Sequence, residues 1–75
     1  MKKRNPPLVT LGLNVRRRRE ELALTQGKLA EKAELDQTYI SGIERGLRNP
    51  GILNVAKLAK ALSMSTCQLC KGVDL

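Results

Sequence analysis

The stretch LTQGKLAEKAELDQTYISGIERG, residues 24–46, carries the signals for two short helices joined by a tight turn. Thr25 is a favoured N-cap residue for a helix that opens at Gln26. Asp36 is a favoured N-cap residue for a second helix, which we expect to end near Gly46. The apolar residues that the first of these helices is expected to bury are Leu29, Ala30 and Ala33. Two helices of about eight and ten residues around a three-residue turn predict a helix-turn-helix.

The residues before this stretch predict a basic arm and one further helix. Apolar residues at helical spacing, namely Leu11, Val15 and Leu22, predict a helix from about residue 8 to residue 22. Pro6-Pro7 is expected to prevent helix formation before residue 8. Residues 1–7, MKKRNPP, are therefore predicted to form a flexible basic arm, and residues 8–75 a single domain.

The residues after this stretch predict two more helices. The segment ILNVAKLAKAL, residues 52–62, is amphipathic, and Ser65 can cap a last short helix that follows it. The residues expected on the buried side of the longer helix are Ile52, Val55, Leu58, Ala59 and Leu62. No strand pattern or repeat is present, so the predicted fold class is all-α, a compact five-helix bundle.

Composition limits the partners that this chain can have. Its 75 residues include a single aromatic residue, Tyr39, so the core must be aliphatic, which suits a helical bundle. The net charge is +7, and the whole excess precedes Glu20, because the seven Lys/Arg after that point balance seven Asp/Glu. A localised basic surface indicates a polyanion, nucleic acid first and an anionic membrane surface second, while charge for solubility alone is the plain alternative. No segment can span a bilayer, so we expect a cytoplasmic protein with no membrane partner.

The sequence offers no support for catalysis, a metal or a cofactor. The chain has no His, and no nucleophile stands beside a base. Cys67 and Cys70 form one CxxC pair, which cannot complete a tetrahedral zinc site within one chain. We therefore expect no enzyme activity, no metal, no cofactor and no small-molecule effector.

Several positions taken together resemble the Cro and lambda-repressor type of helix-turn-helix protein, also called the XRE family. The resemblance runs from about Leu11 to Cys70. The residues that carry it are Thr25-Gln26, Leu29-Ala30, Ile40-Ser41, Glu44, Gly46, Asn49-Pro50 and the KLAKAL segment. The run LDQTYISGIERGLRN also resembles the restriction-modification controller proteins, which are small members of this family. The resemblance implies a lambda-repressor-like bundle that binds double-stranded DNA as a transcriptional regulator, with the helix at about 37–45 in the major groove.

The second helix of the motif has a polar face that suits base recognition. On a helical wheel Ile40 and Ile43 define the buried side. The opposite side holds Thr38, Ser41, Gly42 and Arg45, with Gln37 at its edge. Gln can hydrogen-bond adenine, Arg can bond guanine, and Ser or Thr can bond either base. The candidate base contacts are therefore Gln37, Thr38, Ser41 and Arg45, and Gly42 is expected to allow close approach of the backbone to DNA.

The family resemblance adds phosphate-contact positions. It implies that Gln26 binds a phosphate and braces the first recognition residue, and a phosphate also suits the free N–H groups at a helix start. Arg48 and Asn49, in the loop after the recognition helix, match the next phosphate-contact positions of the family. Tyr39 lies at the edge of the groove face, where it either packs or reaches a phosphate through its hydroxyl.

One residue departs from the family pattern. The turn between the two helices usually carries Gly or Asn in a left-handed conformation, and this chain has Glu34 there. A non-glycine residue with positive φ costs about 1 kcal/mol. We expect either local strain at Glu34 or a wider turn, which would change the angle between the helices.

The arginines in VRRRREEL, residues 15–22, cannot share one helix face, because four consecutive residues span about 300° of arc. Arg16 and Arg17 are expected to point outward, and Arg18 to lie along the edge of the core with its head in water. Arg19 matches the arginine of the family that pairs with a glutamate of the recognition helix, here Glu44. We expect that ion pair to be structural.

Family members normally act as dimers on two-fold symmetric DNA, with half-sites about one helical turn apart. The interface is expected in the C-terminal helices, roughly residues 62–75. Candidate contacts are Met64, Leu69, Val73 and Leu75, which can equally close the core. The alternative function is that of an antitoxin or protein-interaction module of the same fold that neutralises a partner protein.

Overall fold

A computed structural model describes residues 5–75 of the chain, which form five α-helices and no strand. The helices are α1 (Pro6–Glu21), α2 (Gln26–Ala33), α3 (Gln37–Glu44), α4 (Ile52–Ala61) and α5 (Thr66–Leu69). The predicted all-α, five-helix architecture is confirmed. Three predicted N-caps are present, because the side chains of Thr25, Asp36 and Ser65 each accept a hydrogen bond from a backbone N–H in the first turn of their helix.

Helix α1 begins earlier than the sequence predicted. Pro6 and Pro7 occupy its first turn instead of preventing it, and the Asn5 side chain accepts a hydrogen bond from the Leu8 N–H at 3.3 Å. Proline is tolerated there, because the first-turn N–H groups have no partner within the helix and its fixed φ suits the helix. The predicted boundary between arm and domain is therefore wrong at residues 6 and 7, while residues 1–4 lie outside the described part of the chain.

An aliphatic core joins all five helices. Its fully buried side chains include Val15 of α1, Leu29 of α2, Ile40 and Ile43 of α3, and Leu58 of α4. Leu29, Ala30 and Ala33 are buried as expected, as are Val55, Leu58, Ala59 and Leu62. The prediction that Ile52 is buried is wrong, because the residue is 69% exposed. It is the first residue of α4, and its neighbour Leu53 is exposed too, so the start of α4 faces solvent at both positions.

Helix α1 positions α3 through an unusually close backbone contact at Gly12. A Cβ atom at Gly12 would lie 2.7 Å from the carbonyl oxygen of Glu44 and would also collide with the carbonyl oxygen of Ile43. Only glycine permits this approach between α1 and the end of α3. Asn14 fixes the other side of α1, since its Nδ2 donates to the carbonyl oxygens of Leu69 and Lys71, both at 2.8 Å.

Candidate nucleic-acid interface

The turn between α2 and α3 has the compact geometry of a helix-turn-helix. Glu34 adopts the left-handed conformation, with φ 57° and ψ 45°, immediately after α2. The Leu35 N–H donates to the Ala30 carbonyl at 2.9 Å, which closes the end of the helix. Of the two outcomes expected at Glu34, the structure therefore has the strained residue and not the wider turn.

The end of α3 is held by a charged network at the centre of the domain. Arg19 Nε donates to Glu44 Oε2 at 2.6 Å, and its Nη2 donates to Glu44 Oε1 at 3.0 Å. Arg19 also donates to the Leu24 carbonyl at 2.8 Å, and Gln26 Nε2 donates to Glu44 Oε1 at 3.1 Å. The side chains of Arg19 and Glu44 are only 13% and 3% exposed. The hydrogen bond from Arg19 to Glu44 raises the pKa of the arginine, against the lowering effect of burial.

Helix α3 presents a polar surface to solvent and an apolar one to the core. Gln37, Thr38 and Arg45 are exposed, and Ser41 is half-buried. Ile40 and Ile43, on the opposite side, are at most 1% exposed. The structure thus places the four candidate base-contact residues together on the outer surface of α3, as the helical wheel predicted.

Gly42 is the exception on that surface, because it is buried. The space beside it is filled by the side chain of Arg48, whose Cγ lies 2.7 Å from the position a Cβ at Gly42 would take. The space beside Gly42 is therefore occupied by Arg48 in this structure, and close approach of the α3 backbone to DNA at Gly42 stays a prediction. The chain folds back after α3 and lays Arg48 across the glycine.

The four candidate phosphate-contact residues differ in their exposure and in their hydrogen bonds. Arg48 and Asn49 are exposed in the loop after α3. Gln26 is half-buried and uses its amide to hold Glu44, so within the described residues its side-chain hydrogen bond goes to Glu44 and not to Gln37. Tyr39 is half-buried against the core, and its hydroxyl accepts a hydrogen bond from Asn54 Nδ2 at 3.2 Å.

Two residues of this region were not predicted from the sequence as part of the site. Asn54 of α4 orients the Tyr39 hydroxyl, and no local pattern links residues 15 positions apart. Gly27 of α2 lies against Gln37, since a Cβ at Gly27 would be 3.2 Å from Gln37 Oε1. Gly27 is therefore a residue of α2 that the Gln37 side chain adjoins. A glycine in the first turn of α2 was the available signal.

The arginine run of α1 divides among different roles. Arg16 pairs with Glu20 on the surface at 3.3 Å. Arg18 Nε donates to the Leu62 carbonyl at 3.0 Å, so its head lies at the end of α4 and not wholly in water as expected. Arg17 is exposed and makes no ion pair or hydrogen bond with residues 5–75. Together with Arg19, the four arginines thus occupy distinct environments.

The C-terminal apolar residues do not all face solvent. Leu69 is completely buried in the core and so is excluded as a dimer contact, because its side chain closes α5 onto the domain. Met64 and Val73 are partly buried against the core, and Leu75 is fully exposed. A second group of exposed apolar side chains lies between α3 and the first turn of α4, and it consists of Leu47, Ile52 and Leu53.

One surface groove lies away from the polar face of α3. A groove of about 400 Å³ lies between α1 and α5, around Asn14 and Met64, and contains none of the candidate DNA-contact residues. In the part of the chain that the structure describes, no cluster of three His, Cys, Asp or Glu residues can hold a metal ion. None of the helices of residues 5–75 is long and apolar enough to cross a membrane.

Comparison with known proteins gives close relatives of this architecture. A family model described as helix-turn-helix matches residues 15–69. The uncharacterised HTH-type transcriptional regulator y4dJ of Sinorhizobium fredii (strain NBRC 101917 / NGR234) is 38% identical over 64 residues, covering 85% of this chain and 83% of that protein. The restriction-modification controller protein C.AhdI from Aeromonas hydrophila superposes with a TM-score of 0.81 at 40% identity, covering 83% of this chain and 94% of that one. The controller protein C.Esp1396I, as a tetramer in complex with its natural 35 base-pair operator, gives a TM-score of 0.83 at 35% identity, with 92% of this chain and 91% of that chain covered.

Proposed function

This chain belongs to the helix-turn-helix family, and from that membership we propose that it is a small transcriptional regulator that binds double-stranded DNA sequence-specifically. Its role is then regulatory and not catalytic. It acts in the cytoplasm, associated with the nucleoid when bound to DNA. The similarity to C.Esp1396I, which was solved on its operator, supports this proposal.

The outer surface of α3 is the observation that carries the proposal. Gln37, Thr38 and Arg45 are exposed there, while Ile40 and Ile43 hold the opposite side of the helix in the core. The major groove of B-DNA admits one α-helix and displays a distinct hydrogen-bonding pattern for each base pair. Gln37, Thr38, Ser41 and Arg45 are therefore proposed to contact bases.

The residues around α3 are proposed to contact phosphates. Gln26 donates one amide hydrogen to Glu44 and keeps a second hydrogen for a phosphate oxygen. The Tyr39 hydroxyl accepts from Asn54, so its own hydrogen is free to donate. Arg48 and Asn49 are exposed in the loop after α3. Such contacts fix the register of the protein on DNA and carry little sequence information.

We propose a homodimer on two-fold symmetric DNA, with the interface in the C-terminal segment 62–75. Leu75 is fully exposed there, and Met64 and Val73 are partly exposed. The exposed residues Leu47, Ile52 and Leu53 offer an alternative interface, with which the C-terminal segment is compared. Sedimentation of a Leu75→Asp variant is expected to show monomer, while Leu53→Asp stays dimeric, and the reverse result would place the interface at the second surface.

Selection of bound DNA from a random pool tests the function most directly. We expect an enriched palindromic sequence with half-sites about 10 base pairs apart, as a dimer of this motif requires. Gln37→Ala is expected to relax specificity at one position of each half-site, at a cost of about 1–3 kcal/mol for the preferred base. Failure to enrich any sequence at low salt would contradict the proposal.

A further inference from the structure

The chain turns back on α3 immediately after the helix ends. Gly46 has φ 73°, and its N–H donates to the Ile43 carbonyl at 3.0 Å. The next N–H, that of Leu47, donates to the Gly42 carbonyl at 2.9 Å. This pair of hydrogen bonds is a Schellman motif, in which a left-handed glycine reverses the chain. Its consequence here is that Arg48 returns alongside Gly42.

The side chain of Arg48 runs across Gly42 in close contact. A Cβ atom at position 42 would lie 2.7 Å from Arg48 Cγ, 3.4 Å from its Nε and 3.6 Å from its Cδ. Cγ is only the second carbon of the side chain, so rotation of its far end cannot relieve the collision. The first torsion of Arg48 would have to change, and the whole guanidinium group would move with it.

We propose that Gly42 is a positioning residue, which orients Arg48 so that its guanidinium group contacts the DNA backbone beside α3. This inference rests on the proposed DNA-binding function. Glycine is unfavourable inside a helix, and this one lies in the second turn of an eight-residue helix. An arginine held in one conformation before binding loses less side-chain freedom when it meets a phosphate.

A different explanation of Gly42 makes a different prediction. If the glycine instead let the DNA backbone approach α3 directly, a methyl group at position 42 would weaken binding whether or not Arg48 is present. If Gly42 acts through Arg48, the methyl group loses its effect once the arginine side chain has been removed. A double-mutant cycle therefore distinguishes direct contact from positioning.

The test measures affinity for the selected operator as a function of salt in the full chain and in the variants Gly42→Ala, Arg48→Ala and the double variant. Loss of one phosphate contact reduces the slope of log affinity against log salt by about 0.9 and lowers affinity roughly fivefold at 0.15 M salt. We expect Gly42→Ala to reproduce both effects of Arg48→Ala, and the double variant to bind like Arg48→Ala alone. Gly51→Ala is the matched control, because nothing lies within 4 Å of a Cβ at Gly51.

Unchanged affinity and salt slope in Gly42→Ala would overturn the proposal, as would additive effects in the double variant. Melting temperature controls for folding, and Gly42→Ala is expected to melt at or above the temperature of the parent chain. A nuclear Overhauser contact between the Arg48 side chain and Gly42 Hα, measured without DNA, tests the positioning separately. If that contact is absent, the positioning of Arg48 by Gly42 is refuted. If the contact is present but no DNA is selected, the proposed DNA-binding function fails, and the assignment of Arg48 to a DNA contact fails with it.

Discussion

Arg19 of α1 donates two hydrogen bonds, at 2.6 and 3.0 Å, to the carboxylate of Glu44 at the end of α3, 25 residues away in the sequence. A bidentate arginine–carboxylate pair fixes orientation as well as distance. The pair therefore sets how α3 lies against α1, and with it the direction in which the polar face of α3 points. Because its pKa is raised, Arg19 loses this stabilisation only as pH rises through a value above that of ordinary arginine, so it stays charged near neutral pH.

Arg19→Ala is expected to destabilise the domain by about 3 kcal/mol, the lower end of the range for breaking a buried pair. The reason is that the carboxylate of Glu44, only 3% exposed, would lose its cationic partner and keep Gln26 as its remaining side-chain partner. Arg17→Ala is the matched control, because Arg17 is exposed on the same helix. Its stability should change by less than about 0.5 kcal/mol. Urea denaturation measures both, and equal midpoints for the two variants would show that the pair contributes nothing to stability.

Gly12→Ala is expected to destabilise the domain by about 2 kcal/mol or more. A methyl group there meets the backbone carbonyls of Ile43 and Glu44, which cannot move without displacing α3. Gly51→Ala serves as the control, since the space around it is open and its φ of −69° is accessible to alanine, so it should lose only about 0.5 kcal/mol for replacing glycine at the N-cap of α4. Thermal melting of the two variants gives the comparison. A Gly12→Ala variant as stable as Gly51→Ala would mean that α1 and α3 can separate at little cost.

The features that the sequence predicted correctly are local. Thr25, Asp36 and Ser65 cap their helices through hydrogen bonds within three residues, and such bonds depend on little else. The polar face of α3 was predictable from helical periodicity, because the large apolar side chains of Ile40 and Ile43 must face the core.

The features that were missed depend on which distant segments meet. Gly12 looks like any helical glycine until α3 lies on it. Arg48 and Gly42 are close only because the loop reverses at Gly46, and the bond from Asn54 to Tyr39 requires the position of α4. Periodicity also misassigned Ile52, since a regular pattern does not show which part of a helix the rest of the chain covers.

Glu34→Gly is expected to stabilise the domain by about 1 kcal/mol, because glycine adopts φ 57° without the steric cost that a Cβ adds. The helix-turn-helix geometry, and therefore DNA specificity, should be unchanged. Glu34→Ala is the control, since it removes the carboxylate but keeps the Cβ, and it should give little of the gain. Urea denaturation of both variants decides the point. Equal stabilisation by alanine and glycine would attribute the effect to the charge and not to the backbone.

Cys67, in α5, and Cys70, directly after it, should differ in thiol reactivity, because Cys67 is exposed and Cys70 is half-buried. Burial, and secondarily the charge of Cys67, raises the pKa of the Cys70 thiol above its ordinary value of 9.0. A disulfide reagent such as dithiobis-nitrobenzoate should therefore modify Cys67 faster than Cys70 at pH 8, because the thiolate is the reacting form. The variants Cys67→Ala and Cys70→Ala, each with one thiol, assign the two rates.

The raised pKa of Cys70 also predicts a dependence of stability on alkaline pH. The folded state holds the Cys70 proton more tightly than the unfolded state, so the contribution is fully present below pH 9.0 and is lost as pH rises through the folded value. The free energy of unfolding should thus fall less above pH 9 in Cys70→Ala than in the parent chain. Cys67→Ala, which keeps the buried thiol, should retain most of the fall. Identical alkaline profiles for the two variants would show that burial of Cys70 does not control its titration.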